Sequence, residues 1–342
     1  MEFIGWAIFM FSDEEINNTA PIDLVYLWCD GQDPAFKSER QARLKDLNLP
    51  WNEDNLGSLR YFDNEELRYS LRSVWKNLPW INHIYIITNN QKPTWLAEHP
   101  KVTVVDHSEI MPQSLLPCFN SVTIEMYVHK IPGLAEKYLL ANDDVFFGSS
   151  LEPSFFFRDD LPIVRLRKWE ITDSIEHCKK LLASEKISDF AKTQLRAWLL
   201  VAQKHPVDHP YRLSHSVDAF KKTMTEQVLK TYPELLEQNV NPFRTDRDIQ
   251  RVLIQMEMAF GLGAPLRIVR NPNFFEKYIF WPKCKQFECF GGCESNKLRQ
   301  RLLRFNPKLF YINSALKIDK ENKEATRQFL EKRFPQTSPF EK

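Results

Sequence analysis
Four short apolar runs in the first half of the chain, spaced by polar and helix-patterned segments, constrain the fold more than any other feature. They are Ile22 to Trp28, His83 to Thr88, Lys101 to Asp106 and Lys137 to Ala141. Each is the length of a strand, rich in β-formers and bounded by turn residues. Between them, Asp63-Asn-Glu-Glu66 has the form of a capping box, with Asp63 as cap and a helix running to about Lys76, before Pro79. Ser121 to His129 also has helical patterning. Strands alternating with helices predict an α/β fold with a mainly parallel sheet. Ligands of such sheets sit beyond the carboxyl ends of the strands. Asp30-Gly31 follows the first run, and Asn142-Asp143-Asp144 follows the fourth.

The second half reads differently. Pro162 to Trp169 is a strand, and Asp173 to Gln203 is helical up to a break at His205 to Pro210. Ser216 to Lys230 and Asp246 to Phe260 are expected as helices. Leu266 to Val269, Gln286 to Phe290 and Leu309 to Ile312 are expected strands, and Lys320 to Phe334 a last amphipathic helix. This divides the chain into an N-terminal arm (1–20), an α/β core (21–170), a helical insertion or lid (171–262) and a C-terminal completion of the core (263–342). The apolar start, Met1 to Phe11, is too short to span a bilayer and carries Glu2. It reads as a packed arm, with a weak membrane-surface contact as the alternative.

Charge narrows the function. With 46 basic and 45 acidic residues the chain has no electrostatic case for a nucleic-acid partner. Only 9 glycines leave little material for glycine-rich phosphate loops. Six cysteines are sparse for a disulfide scaffold of 342 residues. Cys284, Cys289 and Cys293 lack a fourth neighbour for zinc, so reduced thiols are the expectation.

Adjacent carboxylates after an apolar strand suit a hard divalent cation, Mg2+ or Mn2+, with a bound diphosphate completing the shell. The same three residues would also serve as a plain turn. Arg68 and Arg72, four apart on one helix face, have the fork geometry for phosphate oxygens, or for salt bridges with Glu65 or Asp63. Glu125 and His129 share that spacing on another helix. His215, between a break and a helix, suits a hydrogen bond to phosphate, acid/base work or a capping role. Arg244 and Asp248 flank a further helix start, beside Arg247.

Together these segments resemble the Stealth family of sugar-phosphate transferases. The resemblance lies in Ile22-Asp-Leu-Val-Tyr-Leu-Trp-Cys-Asp-Gly-Gln-Asp33 and, most specifically, in Phe62-Asp-Asn-Glu-Glu-Leu-Arg-Tyr-Ser-Leu-Arg-Ser73. It continues through Pro79-Trp80, His83 to Gln91, Pro117-Cys-Phe-Asn-Ser121, Glu125, His129 to Leu134 and Leu140-Ala-Asn-Asp-Asp-Val-Phe-Phe-Gly148. A third block spans Ser214 to Lys222 and Phe243 to Ile249. The candidate fourth block, Gln286 to Asn296, lacks the family's Asn-Asp pair. What the resemblance implies is a Rossmann-like, glycosyltransferase-type core and transfer of a hexose or N-acetylhexosamine 1-phosphate from a nucleotide-sugar, UDP-linked by expectation, to a glycan hydroxyl in capsular or cell-surface polysaccharide synthesis. It further implies that Asp143, Asp144, His215 and Arg244 are catalytic, with Asp143 and Asp144 on Mg2+ or Mn2+. Asp30, Gly31, Arg68, Arg72, Asn120, Asn142 and Asp248 would bind substrate, with Asp248 orienting Arg244. A cytoplasmic enzyme, peripheral at the inner membrane face and acting on a lipid-linked glycan, is the expected setting. Two other readings stay open on these residues: a metal-dependent glycosyltransferase, and a non-catalytic nucleotide-sugar or glycan-binding protein.

Overall fold
A computed structural model describes residues 20–49, 56–171, 174–207, 209–269, 289–293, 296–304, 306–313 and 320–342. Residues 1–19 of the arm expected at 1–20, Cys284 and the first part of the expected strand at 286–290 lie outside them. The main sheet, among the described residues, has five strands: β1 (Ile22–Leu27), β2 (Ile84–Thr88), β3 (Val102–Asp106), β4 (Lys137–Asn142) and, last, β8 (Asp218–Lys221). Their order is β8-β4-β1-β2-β3. The pairs β1–β2, β2–β3 and β1–β4 are parallel, and β8 joins β4 antiparallel. The fold is therefore α/β with a mostly parallel sheet. Both faces are covered, which is why the strands read as continuous apolar runs. Val25, Ile87, Leu140 and Phe220 enter one core; Leu24, Tyr26, Ile86 and Leu139 enter the other.

Helix α1 (Pro34–Leu47) follows β1 and had no counterpart in the sequence reading. Its signals are local: Asp33 accepts from the Phe36 amide at 2.8 Å and proline occupies the first turn. Only Phe36 and Arg40 are buried on it, so it has little apolar periodicity to find. Helix α2 (Glu66–Asn77) packs on the second core. The expected capping box is corrected here. Asp63 does not cap; its Oδ1 accepts from Trp28 Nε1 at 3.2 Å. Glu65, at φ 64°, turns the chain into the helix, and the Glu66 carboxylate accepts from the Asn64 amide at 2.6 Å.

Helix α3 (Ser121–Glu125), capped by Asn120, stops short of the expected His129. Beyond β4 come β5 (Val145–Phe147) and β6 (Val164–Lys168), then α4 (Ile175–Leu182) and α5 (Asp189–Ala202), capped by Ser174 and Ser188. The single helix expected from 173 to 203 is thus two. After β7 (Tyr211–Leu213), the helix expected from Ser216 starts only at Lys222, as α6 (Lys222–Thr231). Its first residues form β8 instead, because Ala219 and Phe220 find the edge of β4, with Phe220 stacked on Tyr138. The strand passes into the helix without glycine, proline or a side-chain cap, so nothing local marks the change. Helix α7 (Val252–Phe260) likewise starts later than expected, and β9 (Leu266–Ile268) pairs with β6. At the end of the chain come β10 (Cys289–Cys293), α8 (Asn296–Arg304), β11 (Leu309–Asn313) and α9 (Lys320–Arg333). Among the described residues there are three further sheets: β9-β6-β7, β10-β11-β5 and a short antiparallel pairing of Phe157–Arg158 with Leu161–Pro162. No helix among the described residues is long and apolar enough to cross a membrane.

Candidate active site
The turn Asp143-Asp144 joins strands of two different sheets. β4 belongs to the main sheet, while β5 pairs antiparallel with β11. The turn is pinned from several sides. Ser70 Oγ donates to Val145 O at 2.6 Å and meets Tyr26 OH at 2.8 Å. Asn77 Nδ2 donates to Phe147 O at 2.6 Å, and the Ile312 amide donates to Asp144 O at 3.2 Å. The serines and asparagine of α2 thus hold the backbone that presents the carboxylates.

His215 reaches the same place through strand register. Asp218 on β8 pairs with Leu140 on β4. Extending that antiparallel register past the strand end brings His215 level with Asp143. Its Nε2 lies 2.8 and 2.9 Å from the Asp144 carboxylate oxygens, and its Nδ1 lies 3.4 Å from Asn142 Nδ2. The Tyr311 ring, from β11, packs on the imidazole at 4.6 Å. Burial disfavours charge on His215, but the Asp144 carboxylate outweighs it and raises its pKa.

Asp30 leaves β1 at the same end, since Leu27 pairs in parallel with Asn142. The Asp30 backbone exchanges hydrogen bonds with the Gln91 amide at 3.1 and 3.0 Å. Gly31 donates to Tyr61 O at 2.6 Å, and a Cβ there would lie 2.2 Å from that oxygen, so only glycine fits. Burial raises the Asp143 pKa well above the ordinary carboxylate range, and Asp144, Glu66 and Asp63 push the same way. Asp63 rises to about 6, again chiefly by burial. The ends of β1 and β4 and the start of α2 therefore form one electronegative basin.

A second cluster gathers around the buried Asp248. Its carboxylate accepts from Asn120 Nδ2 at 2.8 Å, the Thr245 amide at 2.9 Å and Asn241 Nδ2 at 3.1 Å. Arg244 donates to Ser121 Oγ at 3.1 Å and stacks over Phe190 at 4.7 Å. Asp248 thereby fixes the loop that carries Arg244. Arg244 Nε is buried without a partner, and burial, then the nearby Arg60 charge, lowers the guanidinium pKa to about 10. Phe243 next to it stacks on Phe119, whose carbonyl accepts from Tyr61 OH at 3.0 Å. That chain of contacts ties the Arg244 loop to the rim at Gly31.

Of the two readings of Arg68 and Arg72, the salt bridge of Arg68 with Glu65 forms, at 3.2 Å. Arg68 and Arg72 face the C-terminal segment, not phosphate-binding loops. Arg72 Nη2 and Arg68 Nε meet Glu341 at 2.8 and 2.6 Å, and Arg72 Nη1 donates to Phe334 O at 2.8 Å. Their face of α2 is claimed by tertiary partners more than 250 residues away. Glu125 pairs with Arg251 at 2.6 Å rather than acting with His129, and Arg251 also holds Asp218 at 2.9 Å. His129 is buried with Nδ1 unpartnered. Three residues were missed: Tyr311, Arg251 and Glu66. Glu66 stood in the capping pattern, where its charge was read as local. Tyr311 and Arg251 carry no motif and meet the site only through packing.

Among the described residues no three His, Cys, Asp or Glu side chains converge as a ready-made cation cage. The donor set fits a hard cation that takes two carboxylates and completes its shell from substrate oxygens. Asp144 gives both oxygens to His215, which leaves Asp143 as the carboxylate with the larger demand for a counter-charge.

Residues 60–163 match Stealth protein CR2, conserved region 2. The chain is similar to the exopolysaccharide phosphotransferase SCO6023 of Streptomyces coelicolor, at 35% identity over 67% of this chain and 38% of that protein. It is also similar to the capsular polysaccharide phosphotransferase cps1A of Actinobacillus pleuropneumoniae, at 32% identity over 75% of this chain and 72% of that protein. The match therefore spans well under half of the Streptomyces protein. Among solved structures, the galactosyltransferase LgtC in complex with donor and acceptor sugar analogs aligns over 92% of this chain and 96% of its own, at a TM-score of 0.43 and 10% identity.

Proposed function
The chain belongs to the Stealth family, and from that premise we propose that it transfers a hexose or N-acetylhexosamine 1-phosphate from a nucleotide-sugar to a glycan hydroxyl. The setting would be cytoplasmic, at the inner face of the membrane, in the synthesis of a capsular or exopolysaccharide. What carries the reading is the contact of His215 with Asp144, alongside Asp143, at the carboxyl end of a central strand.

The acceptor oxygen attacks the phosphorus that bears the sugar. A new P–O bond forms, the bridging P–O bond breaks, and a nucleoside monophosphate departs with the bridging oxygen. Positioning and charge stabilisation supply most of such a rate. With Nε2–H donated to Asp144, His215 Nδ1 accepts from Asn142 Nδ2 at 3.4 Å, a long contact that an incoming hydroxyl would replace. Nδ1 is then the proton acceptor for that hydroxyl. Asp144 holds the imidazole in this tautomer and stabilises the charge it gains. Asp143, with Asp144, would hold Mg2+ or Mn2+, which would offset charge on the donor diphosphate. Arg244, half-buried, would meet the donor phosphates through its guanidinium. Asn120 and Asp248 act through it, as positioning residues for its loop. Asp30 and Gly31 form the rim of the nucleotide pocket, and Arg68 and Arg72 brace α2 beneath it. In the same reading, the division into arm, core, insertion and C-terminal completion is retained, with β8 as the insertion's contribution to the main sheet.

Product analysis tests this. Purified protein is incubated with a panel of nucleotide-sugars, Mg2+ and glycan acceptors. Release of nucleoside monophosphate, with phosphorus-31 signal of a phosphodiester in the product, is expected. Release of nucleoside diphosphate and a phosphorus-free product would assign a glycosyltransferase. Donor binding without any turnover would assign a binding protein.

A further inference from the structure
Helix α5 carries an aromatic ring in its first turn that the fold leaves uncovered. Phe190 follows the Ser188 cap by two residues and is 39% exposed. A single exposed apolar side chain is ordinary on a protein surface. This one differs in how it is held and in what it touches. Ser188 Oγ accepts from the Ala191 amide at 3.2 Å, and Thr193 Oγ1 donates to Phe190 O at 2.8 Å, so the turn that carries the ring is fixed. The helix is tied in turn to the loop of Arg244. Arg196 Nε donates to Asp246 O at 2.9 Å, and the Gln250 amide donates to Thr193 O at 3.3 Å. The Arg244 guanidinium then lies 4.7 Å from the Phe190 ring centroid. A guanidinium over an aromatic ring holds both groups in place. Ring and cation form one plate, with apolar surface open to solvent beside the cation.

The contacts along this side of the site have an order. They pass from Gly31 to Tyr61, from Tyr61 to Phe119, from Phe119 to Phe243 and, through the chain, to Arg244 and its partner Phe190. A nucleotide-sugar is laid out in the same order, as nucleoside, diphosphate and sugar. With the nucleoside at the rim of Asp30 and Gly31 and the phosphates at Arg244, the next group along the ligand is the sugar. A pyranose suits the plate. One face of the ring presents C–H groups that cover an aromatic surface, while the hydroxyls around it keep their hydrogen bonds. A nucleobase would also stack on a phenyl ring. It would then have to lie beyond the phosphates and leave the Gly31 rim without its occupant.

We propose that Phe190 is the platform for the donor's sugar, a hexopyranose held by its C–H face, and that it sets the preference for a nucleotide-sugar over the bare nucleotide. The assignment rests on the phosphotransfer reading given above for the place of Arg244. The test does not depend on turnover. The full chain, with Mg2+ and no acceptor, is titrated with UDP-glucose, UDP-N-acetylglucosamine, UDP-galactose and GDP-mannose, and with UDP and GDP. At least one nucleotide-sugar should bind. Phe190→Ala should weaken its binding by roughly tenfold, the loss of a covered ring surface. The matching nucleoside diphosphate should bind variant and wild type equally, and Phe190→Tyr should keep the wild-type affinity for both. A parallel loss of nucleotide-sugar and nucleoside diphosphate would place Phe190 under the base or make it only a support for Arg244, and would overturn the proposal. So would unchanged nucleotide-sugar affinity in Phe190→Ala, or no binding of any of the four nucleotide-sugars. Thermal unfolding is recorded for each variant; if Phe190→Ala does not fold, Phe190→Leu, apolar but without the ring, decides. Release of nucleoside diphosphate in the product assay would remove the phosphotransfer reading and leave this sugar subsite standing, whereas an unmoved affinity in Phe190→Ala would remove the subsite and leave that reading.

Discussion
His215 Nε2 sits 2.8 and 2.9 Å from the two carboxylate oxygens of Asp144, which reach it from strands 71 residues apart in sequence. The contact makes the two residues one unit. His215→Gln and Asp144→Asn should each lower turnover by about 10²- to 10⁴-fold, the range of a lost general base. The double variant should be little worse than either single variant. Independent, multiplicative losses in steady-state kinetics would refute a shared function.

Asp143→Asn should act through the cation. Removing that carboxylate relieves the repulsion with Asp144, Glu66 and Asp63, so the fold should be retained or slightly stabilised. Activity should demand far more Mg2+, with the half-saturating concentration raised roughly tenfold or more. Chelation of divalent ions should stop the wild type and be reversed by Mg2+ or Mn2+. Normal Mg2+ dependence in Asp143→Asn would exclude its role as a ligand.

Gly31 tolerates no side chain, because a Cβ would lie 2.2 Å from Tyr61 O. Gly31→Ala should cost about 1 to 3 kcal/mol in chemical denaturation, by displacing either the Asp30 turn or Tyr61. Donor affinity should fall in the same variant, since both neighbours border the site. An unchanged denaturation midpoint would contradict the close approach.

The C-terminal clamp sets an acid limit to stability. Burial opposes the Glu341 charge, but Arg72 and Arg68 outweigh it and hold the carboxyl at about 2, against an ordinary 4.5. A depressed carboxylate contributes fully above its unfolded pKa, and that contribution is lost as pH falls from 4.5 towards 2. Glu341→Gln, which leaves the buried Arg72 only the more exposed Glu331 as a charged partner, should cost roughly 3 kcal/mol near neutral pH. The difference from wild type should shrink through that acid window. A gap that stays constant from neutral pH down to the acid limit would show that the ion pair is not its source.

His107 and His129 give the opposite ends of the chain's acid response a common cause. Burial pushes each imidazole down to about 4. Both stay neutral in the folded protein while the unfolded chain takes up protons below about 6.5. Stability should therefore fall with acidification from about 6.5 towards 4. His129→Gln should flatten that slope in unfolding experiments run across the window, and an unaltered slope would assign it elsewhere.

Much of the first half was legible because its signals are local. β1, β2 and β4 are runs buried on both sides, so continuous apolar stretches reported them without any knowledge of their neighbours, while β3, at the sheet edge with Thr103 exposed, showed through its valines. Elements whose identity depends on a partner were misread. β8 is a strand because β4 leaves an edge open for Ala219 and Phe220. Asp63 turned from a helix cap into a partner of Trp28 because β1 ends beside it. α1 escaped because its few buried residues leave no periodicity.

By itself, the sequence determined the strand-and-helix alternation and the position of Asp143 and Asp144 after a central strand. Those properties follow from short-range patterning, which the chain carries residue by residue. Only the tertiary structure decided which charged groups meet. It gave Asp144 to His215, Arg72 to Glu341 and Arg251 to Glu125 and Asp218. A charged side chain has many possible partners in sequence. Strand register and burial leave it one or two, because an unpaired charge inside the fold costs more than the chain can sustain.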